Sequence, residues 1–200
     1  MELLTTSGHR AIWQCALPYL DVRSNDIHTL HSYRLGHALL QTCPEADAEI
    51  VLTAILLHDT GWKLMPIEKI TAAIGPNAKY PELQREHEIA GVGIAREILE
   101  QQAWPTERLT RVLDIIDGHD SRKHALSLED RLMKDADKLW RFTAHGIRTI
   151  GGWFSQSPTE VIDLLDSYVV PQLLSDDARA IAAAYVATAR TEVMGDACLI

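Results

Sequence analysis

The chain has 200 residues, 46% of them apolar and 24% charged, enough for one domain that buries roughly 70% of its unfolded surface. Its formal charge of −9 argues against a broad groove for a nucleic-acid duplex, which needs a basic field. That charge still allows a small anionic ligand held by a local cation cluster or a metal.

Three cysteines, Cys15, Cys43 and Cys198, stand far apart and in no metal-type spacing. A reducing, cytoplasmic setting is therefore expected rather than a disulfide framework. The opening MELLTTSGHR lacks the basic region and long apolar core of a signal peptide. The longest apolar run, near Ile50 to Leu57, is far too short to cross a membrane.

Helical signals recur along the chain and strand signals do not. After an N-terminal helix, Asn25 or Asp26 is placed to cap a helix whose apolar positions Ile27, Leu30, Leu35, Ala38 and Leu39 follow a helical period. Pro44 and Asp47 open the next helix, which runs through IVLTAILL and ends near Gly61. Pro66 begins a short helix, and GPNAKYP reads as an exposed connection. Pro81 suits the first turn of a helix through ELQREHEIAGVGIAREIL, and Pro105 opens TERLTRVLDII, which stops at Gly118. Ser127 with Asp130 resembles a capping box for a long helix to about Ile150, where Gly151-Gly152 breaks it. Ser157, Pro158 and Glu160 form a fuller box before VIDLLDSYVV, and Ser175 caps the final helix. No repeat or linker divides the chain. The expectation is an all-α fold, residues 1–200 forming one domain of about eight helices.

Within this frame, ILLHDTGWK sets His58 and Asp59 side by side at the end of an apolar helix. A core histidine bonded to a neighbouring carboxylate would look the same, so the pair gains meaning only from partners. His28 and His31 lie on the preceding helix, His87 early in the following one, His119 in DGHDSRKH, and Asp135 and Asp137 in LMKDADKLW. Nitrogen and carboxylate donors from separate helices suit a divalent ion once they converge. Periodicity does not choose between His28 and His31, one turn apart on a shared face. It does not choose between Asp135 and Asp137 either, which point about 200° apart.

The ordered set resembles the signature of the HD-domain metal-dependent phosphohydrolases: a histidine, a later His-Asp pair and a final aspartate, each on a different helix of an all-α core. The resemblance spans roughly residues 26 to 150, leaving the N-terminal helix and residues 151–200 as elaborations. It favours His31, through H-x-x-R with Arg34, over His28. It takes His58 and Asp59 from H-D-T-G, and favours Asp137, through A-D-x-L, over Asp135, which is left as a neighbouring hydrogen-bond acceptor. Some members hold one ion on four such ligands. Others add two histidines, where His87 and His119 stand here, and share the central aspartate, Asp59, between two ions. The cofactor implied is one or two divalent ions: Mn, Fe, Ni, Zn or Mg.

Such ions polarise a phosphoryl oxygen and lower the pKa of bound water, and charge developing on phosphate needs cations. Lys63 and Lys138 are the expected catalytic cations beside Asp59, and Arg34, Arg122 and Lys123 the expected substrate-binding ones. His9, His37, His124 and His145 read as structural. The function implied is hydrolysis of a nucleotide or another small phosphate ester or anhydride. Two alternatives come from other classes: an HD-type diiron oxygenase using all six ligands, and a non-catalytic ligand-binding module. The expected partner is a small phosphorylated molecule, not a nucleic-acid duplex or a membrane, with homodimerisation left open. Specificity would sit in GPNAKYP, HDSRKHALS and GGWFSQSP.

Overall fold

The computed structural model describes residues 4 and 6–198, without side-chain detail for 196–198. Cys198 therefore lies outside the described side chains, while Cys15 and Cys43 are free thiols. Among the described residues every regular element is helical: α1 (Ser7–Ala16), α2 (Asn25–Gln41), α3 (Ala48–Leu57), α4 (Ile67–Ile70), α5 (Glu82–Gln101), α6 (Thr106–Ile116), α7 (Leu128–Leu139), α8 (Ala144–Phe154), α9 (Pro158–Leu164) and α10 (Asp176–Cys198). The all-α expectation holds. Among the described residues no single helix is long and apolar enough to cross a membrane.

The centre of the fold is α3. Every residue from Ile50 to Leu57 is buried, because α1, α2, α6 and α7 pack around it. A helix apolar on all sides is stable only in such a surround, where each aliphatic side chain contributes about 1.5–3 kcal/mol. Asp47 caps the start by accepting from the Glu49 and Ile50 backbone N–H groups. At the other end Thr60 Oγ1 donates to the Leu57 carbonyl at 2.7 Å, and the chain tightens into a 3-10 turn, Thr60–Leu64. A Cβ on Gly61 would fall on the His87 carbonyl oxygen and 2.6 Å from the Gly91 nitrogen. The glycine of H-D-T-G thus lets α5 lie directly on this turn.

Two expectations need correction. The helix drawn from Ser127 to about Ile150 is two helices, α7 and α8, joined by the turn Trp140–Phe142. Thr143 Oγ1 donates to the Trp140 carbonyl and accepts from the Gly146 N–H, so it closes one helix and caps the next. Gly146 has no room for a Cβ beside the Trp140 and Arg141 carbonyls, whereas Gly151 and Gly152 stay inside α8. At the start of α2, neither Asn25 nor Asp26 is the cap. Ser24 holds that position in the left-handed region, without a side-chain cap bond.

The C-terminal helices lean on α7. Asp135 accepts from the Leu174 and Ser175 backbone N–H groups at 2.7 and 3.0 Å, tying the entry of α10 to the face of α7 opposite Asp137. Between α9 and α10 runs a π-helical turn, Leu165–Val169, which forms one wall of the cavity described next.

Candidate metal centre

The start of α2, the end of α3, the first turns of α5, the loop after α6 and the last turn of α7 meet at one buried point. His58 and Asp59 arrive there from α3, His87 from α5, His119 from the loop after α6 and Asp137 from α7, and all are buried. The histidine of α2 is His28, not His31. His28 is 4% exposed, and its Nε2 lies 3.0 Å from His58 Nε2 and 3.3 Å from Asp137 Oδ1. His31 turns away and stacks on His145, ring centroids 5.3 Å apart. The two positions differ by about 60° around the helix, and the buried stripe of α2, with Thr29, Ser32 and Leu39, carries His28 inward. Arg34, whose spacing favoured His31, is exposed on the far side.

Asp59 is the hub. Its Oδ1 lies 3.6 Å from His58 Nε2, 3.7 Å from His87 Nε2 and 3.5 Å from His119 Nε2, and its Oδ2 lies 3.4 Å from His28 Nε2. Among the described residues three groupings could hold a metal ion: His28, His58 and Asp137; His58, Asp59 and His119; His87, His119 and Asp120. Donor atoms about 2.1 Å from an octahedral ion lie about 3 Å apart, close to these spacings.

The tautomers supply the test of fit. The Nδ1 atoms of His58, His87 and His119 face the carbonyls of Ile55, Leu83 and Ile116 at 2.8, 3.3 and 2.9 Å. Each neutral ring then carries its proton on Nδ1 and turns a bare Nε2 lone pair inward. His87 and His119 bring two such lone pairs within 3.3 Å of each other. They repel unless a proton or a cation lies between them. Imidazole and carboxylate donors together suit a divalent transition ion, so the residues present fit the group.

Electrostatics agree. Burial opposes ionisation of Asp59, but the charge of His58 and the hydrogen bond with His119 hold it well below the usual carboxylate range. Burial likewise opposes Asp137, and the Arg141 charge with the His28 hydrogen bond outweighs it. Burial would lower the His119 pKa, yet its bond to Asp59 and the Asp120 charge raise it to about 9. Burial and the charge of His119 push His87 down to about 4. A proton on His119 thus holds a position for which a cation would compete.

A supporting layer fixes the loop that carries His119. Buried Glu88 accepts from the backbone N–H groups of Asp120 and Ser121 at 2.8 and 2.7 Å. Lys134, 2% exposed, donates to the carbonyls of Gly118, His119 and Arg122 at 2.7, 2.7 and 3.0 Å. Trp62 stacks on His87, centroids 3.9 Å apart, and its Nε1 donates to Asp59 Oδ1 at 3.1 Å.

The centre opens into a cavity of about 370 Å³. Lys138 and Lys123 line it; Lys63 and Arg34 do not. Lys63 pairs with Asp21 at 2.6 Å on the surface. Arg122 is bound to Asp130 at 2.9 Å and to the carbonyls of Asp117 and Asp114, so it braces the loop. The cavity also holds residues the sequence reading passed over: Asp120, Arg141 and Arg23. Asp120 follows His119 as Asp59 follows His58, and Arg141 stands four residues after Asp137 on the same helical line. Those signals were available. Arg23 had none.

The HD domain family matches residues 25–141. A crystal structure of a Lactobacillus plantarum protein, a structural-genomics target, is similar with a TM-score of 0.61 and 20% identity, covering 97% of each chain. That likeness concerns the fold alone. No curated protein matches this sequence.

Proposed function

The chain belongs to the HD domain family, and from that premise we propose that it is a metal-dependent phosphohydrolase acting on a nucleotide or another small phosphate ester or anhydride. The observation that carries this reading is the convergence of the His87 and His119 Nε2 atoms, 3.3 Å apart, joined to His28 and His58 through the shared carboxylate of Asp59 and to Asp137 through His28 and His58. In this reading His28, His58, Asp59 and Asp137 hold one divalent ion, and Asp59, His87, His119 and Asp120 hold a second. Bound there, the ions supply Lewis acidity toward a phosphoryl oxygen and a water of lowered pKa.

The chain's own residues supply the rest. Carboxylates that stay ionised despite burial keep the ligand charge negative, and the Nδ1 contacts with backbone carbonyls keep the rings of His58, His87 and His119 in one orientation. Lys138 and Arg141 place positive charge on the cavity wall, where oxygens of the transferring phosphoryl group gain charge. The organic part of the substrate would extend past Ile74 and Pro76, where the cavity continues into a groove of about 450 Å³ walled by Trp153, Phe154 and Leu164.

The test is metal analysis followed by phosphate release from a panel of phosphorylated metabolites. Metal-dependent release from at least one of them, lost in Asp59→Ala, is the expected result. No release from any of them by fully loaded protein would remove the reading.

A further inference from the structure

Among the described residues, one arginine in the cavity has no hydrogen-bond or ion-pair partner. Arg23 stands just before α2 with φ 54°, followed by Ser24 with φ 58°. Non-glycine residues seldom adopt this left-handed region, and two in succession persist only where the surroundings hold them. At Arg23 those surroundings are aromatic. Its guanidinium carbon lies 4.9 Å from the ring centroid of Trp62 and 4.9 Å from that of Trp153, so two indoles enclose the head group.

What the sandwich lacks is an acceptor. Among the described residues no hydrogen bond or ion pair engages the Arg23 guanidinium, and its Nε is buried without a partner. Neighbouring cations are engaged: Arg141 with Asp137, Arg122 with Asp130, and Lys134 with three carbonyls. Lys123 and Lys138 line the cavity too, but no ring contact fixes their side chains. Among the described residues, Arg23 combines a head group held against two rings, open donors and a place in the cavity that contains Asp59 and Asp137.

Its placement is also registered to the metal centre. Trp62 stacks on His87 and donates to Asp59 while its ring bears Arg23. The order His87, Trp62, Arg23, Trp153 runs as one stack from a candidate ligand to the cavity wall. A planar guanidinium with unfilled donors matches the oxygens of a phosphoryl group, which it can bind two at a time.

We propose that Arg23 is the anion anchor of this site, receiving non-bridging oxygens of a substrate phosphoryl group seated beside Asp59 and Asp137. The assignment rests on the phosphohydrolase reading. Trp153 on its outer side would then separate the phosphate from the organic part of the substrate.

Inorganic phosphate is the probe, titrated into the metal-loaded protein by calorimetry and by tryptophan fluorescence. The comparison is between the parent and Arg23→Gln, which keeps a flat polar group between the indoles and removes the charge. The expected result is a phosphate Kd at least tenfold higher in Arg23→Gln, with the parent's metal content and melting temperature, and partial recovery in Arg23→Lys. Where Arg23→Gln does not fold, Arg23→Met, with an apolar stem of similar length, carries the same comparison. Equal phosphate affinity in parent and variant overturns the anchor and leaves the phosphohydrolase reading intact. A fully loaded parent that binds no phosphate overturns both.

Discussion

His28 Nε2 and His58 Nε2 face each other at 3.0 Å across the interface of two helices. The Ile55 carbonyl lies 2.8 Å from the other nitrogen of His58, which leaves the inner one to face the cluster. The Nδ1 of His28 is buried with no partner. With Asp59 and Asp137 at 3.3–3.6 Å, the two imidazoles make a cluster of donors that could hold a metal ion.

The choice between the two histidines of α2 follows directly. His28→Ala is expected to lower metal affinity at least a hundredfold, whereas His31→Ala, which loses only its stack on His145, keeps the parent's metal content. Mass-spectrometric metal analysis of both variants after gel filtration decides it. Metal loss in His31→Ala with retention in His28→Ala would reverse the assignment.

Asp59 touches all four histidines, so its removal should strip most metal and all activity. The helices should remain, since α3 is held by apolar packing. Circular dichroism and metal content on Asp59→Ala check this together. Full occupancy in a folded variant would show that the His-Asp pair is a core feature without a ligand role.

Gly61 separates scaffold from chemistry. A methyl group there collides with the backbone of α5, so Gly61→Ala should destabilise the fold by about 2 kcal/mol, on the scale of overpacking. It should also displace His87, weakening one ion more than the other. A melting temperature and metal content equal to the parent's would mean that α5 does not sit against this turn.

Lys134 offers a test away from the ligands. Its ammonium is the partner of three carbonyls in the 118–122 loop. Lys134→Met removes all three bonds, leaving the Gly118 carbonyl only its bond from the Arg122 N–H, and should lower stability by about 3 kcal/mol, measurable by urea unfolding. A change below about 0.5 kcal/mol, within the range of ordinary surface substitutions, would show that these bonds do not hold the loop.

The elements were legible where local chemistry dominates. Asp47, Ser127 and Ser157 cap the helices they were expected to cap, and the unbroken apolar run of α3 marks a buried helix. The break at Thr143 was hidden because no proline marks it, and the real signal, a threonine three residues before a glycine, also occurs within helices. The ligand from α2 was misassigned for a related reason. Periodicity left His28 and His31 open, the spacing of His31 with Arg34 chose between them, and the buried face that carries His28 inward includes Thr29 and Ser32, which no apolar pattern marks. Arg23 could not have been found at all, because its position depends on Trp62 and Trp153, which are 39 and 130 residues away in the chain. Lys63 illustrates the converse: closeness to His58 in sequence did not bring it into the cavity, because the turn after Asp59 points it outward to Asp21.

The most direct test of the account is a count of ions. His28, His58 and Asp137 surround one position and His87, His119 and Asp120 another, with Asp59 between them. Parent protein purified without chelator and resupplied with metal should bind two equivalents. His87→Ala/His119→Ala should bind one, because the first set of ligands remains intact, and Asp59→Ala should bind close to none. A parent that never exceeds one equivalent, with the double variant equal to it, would contradict the two-ion centre and leave His119 as a group that orients substrate or carries a proton.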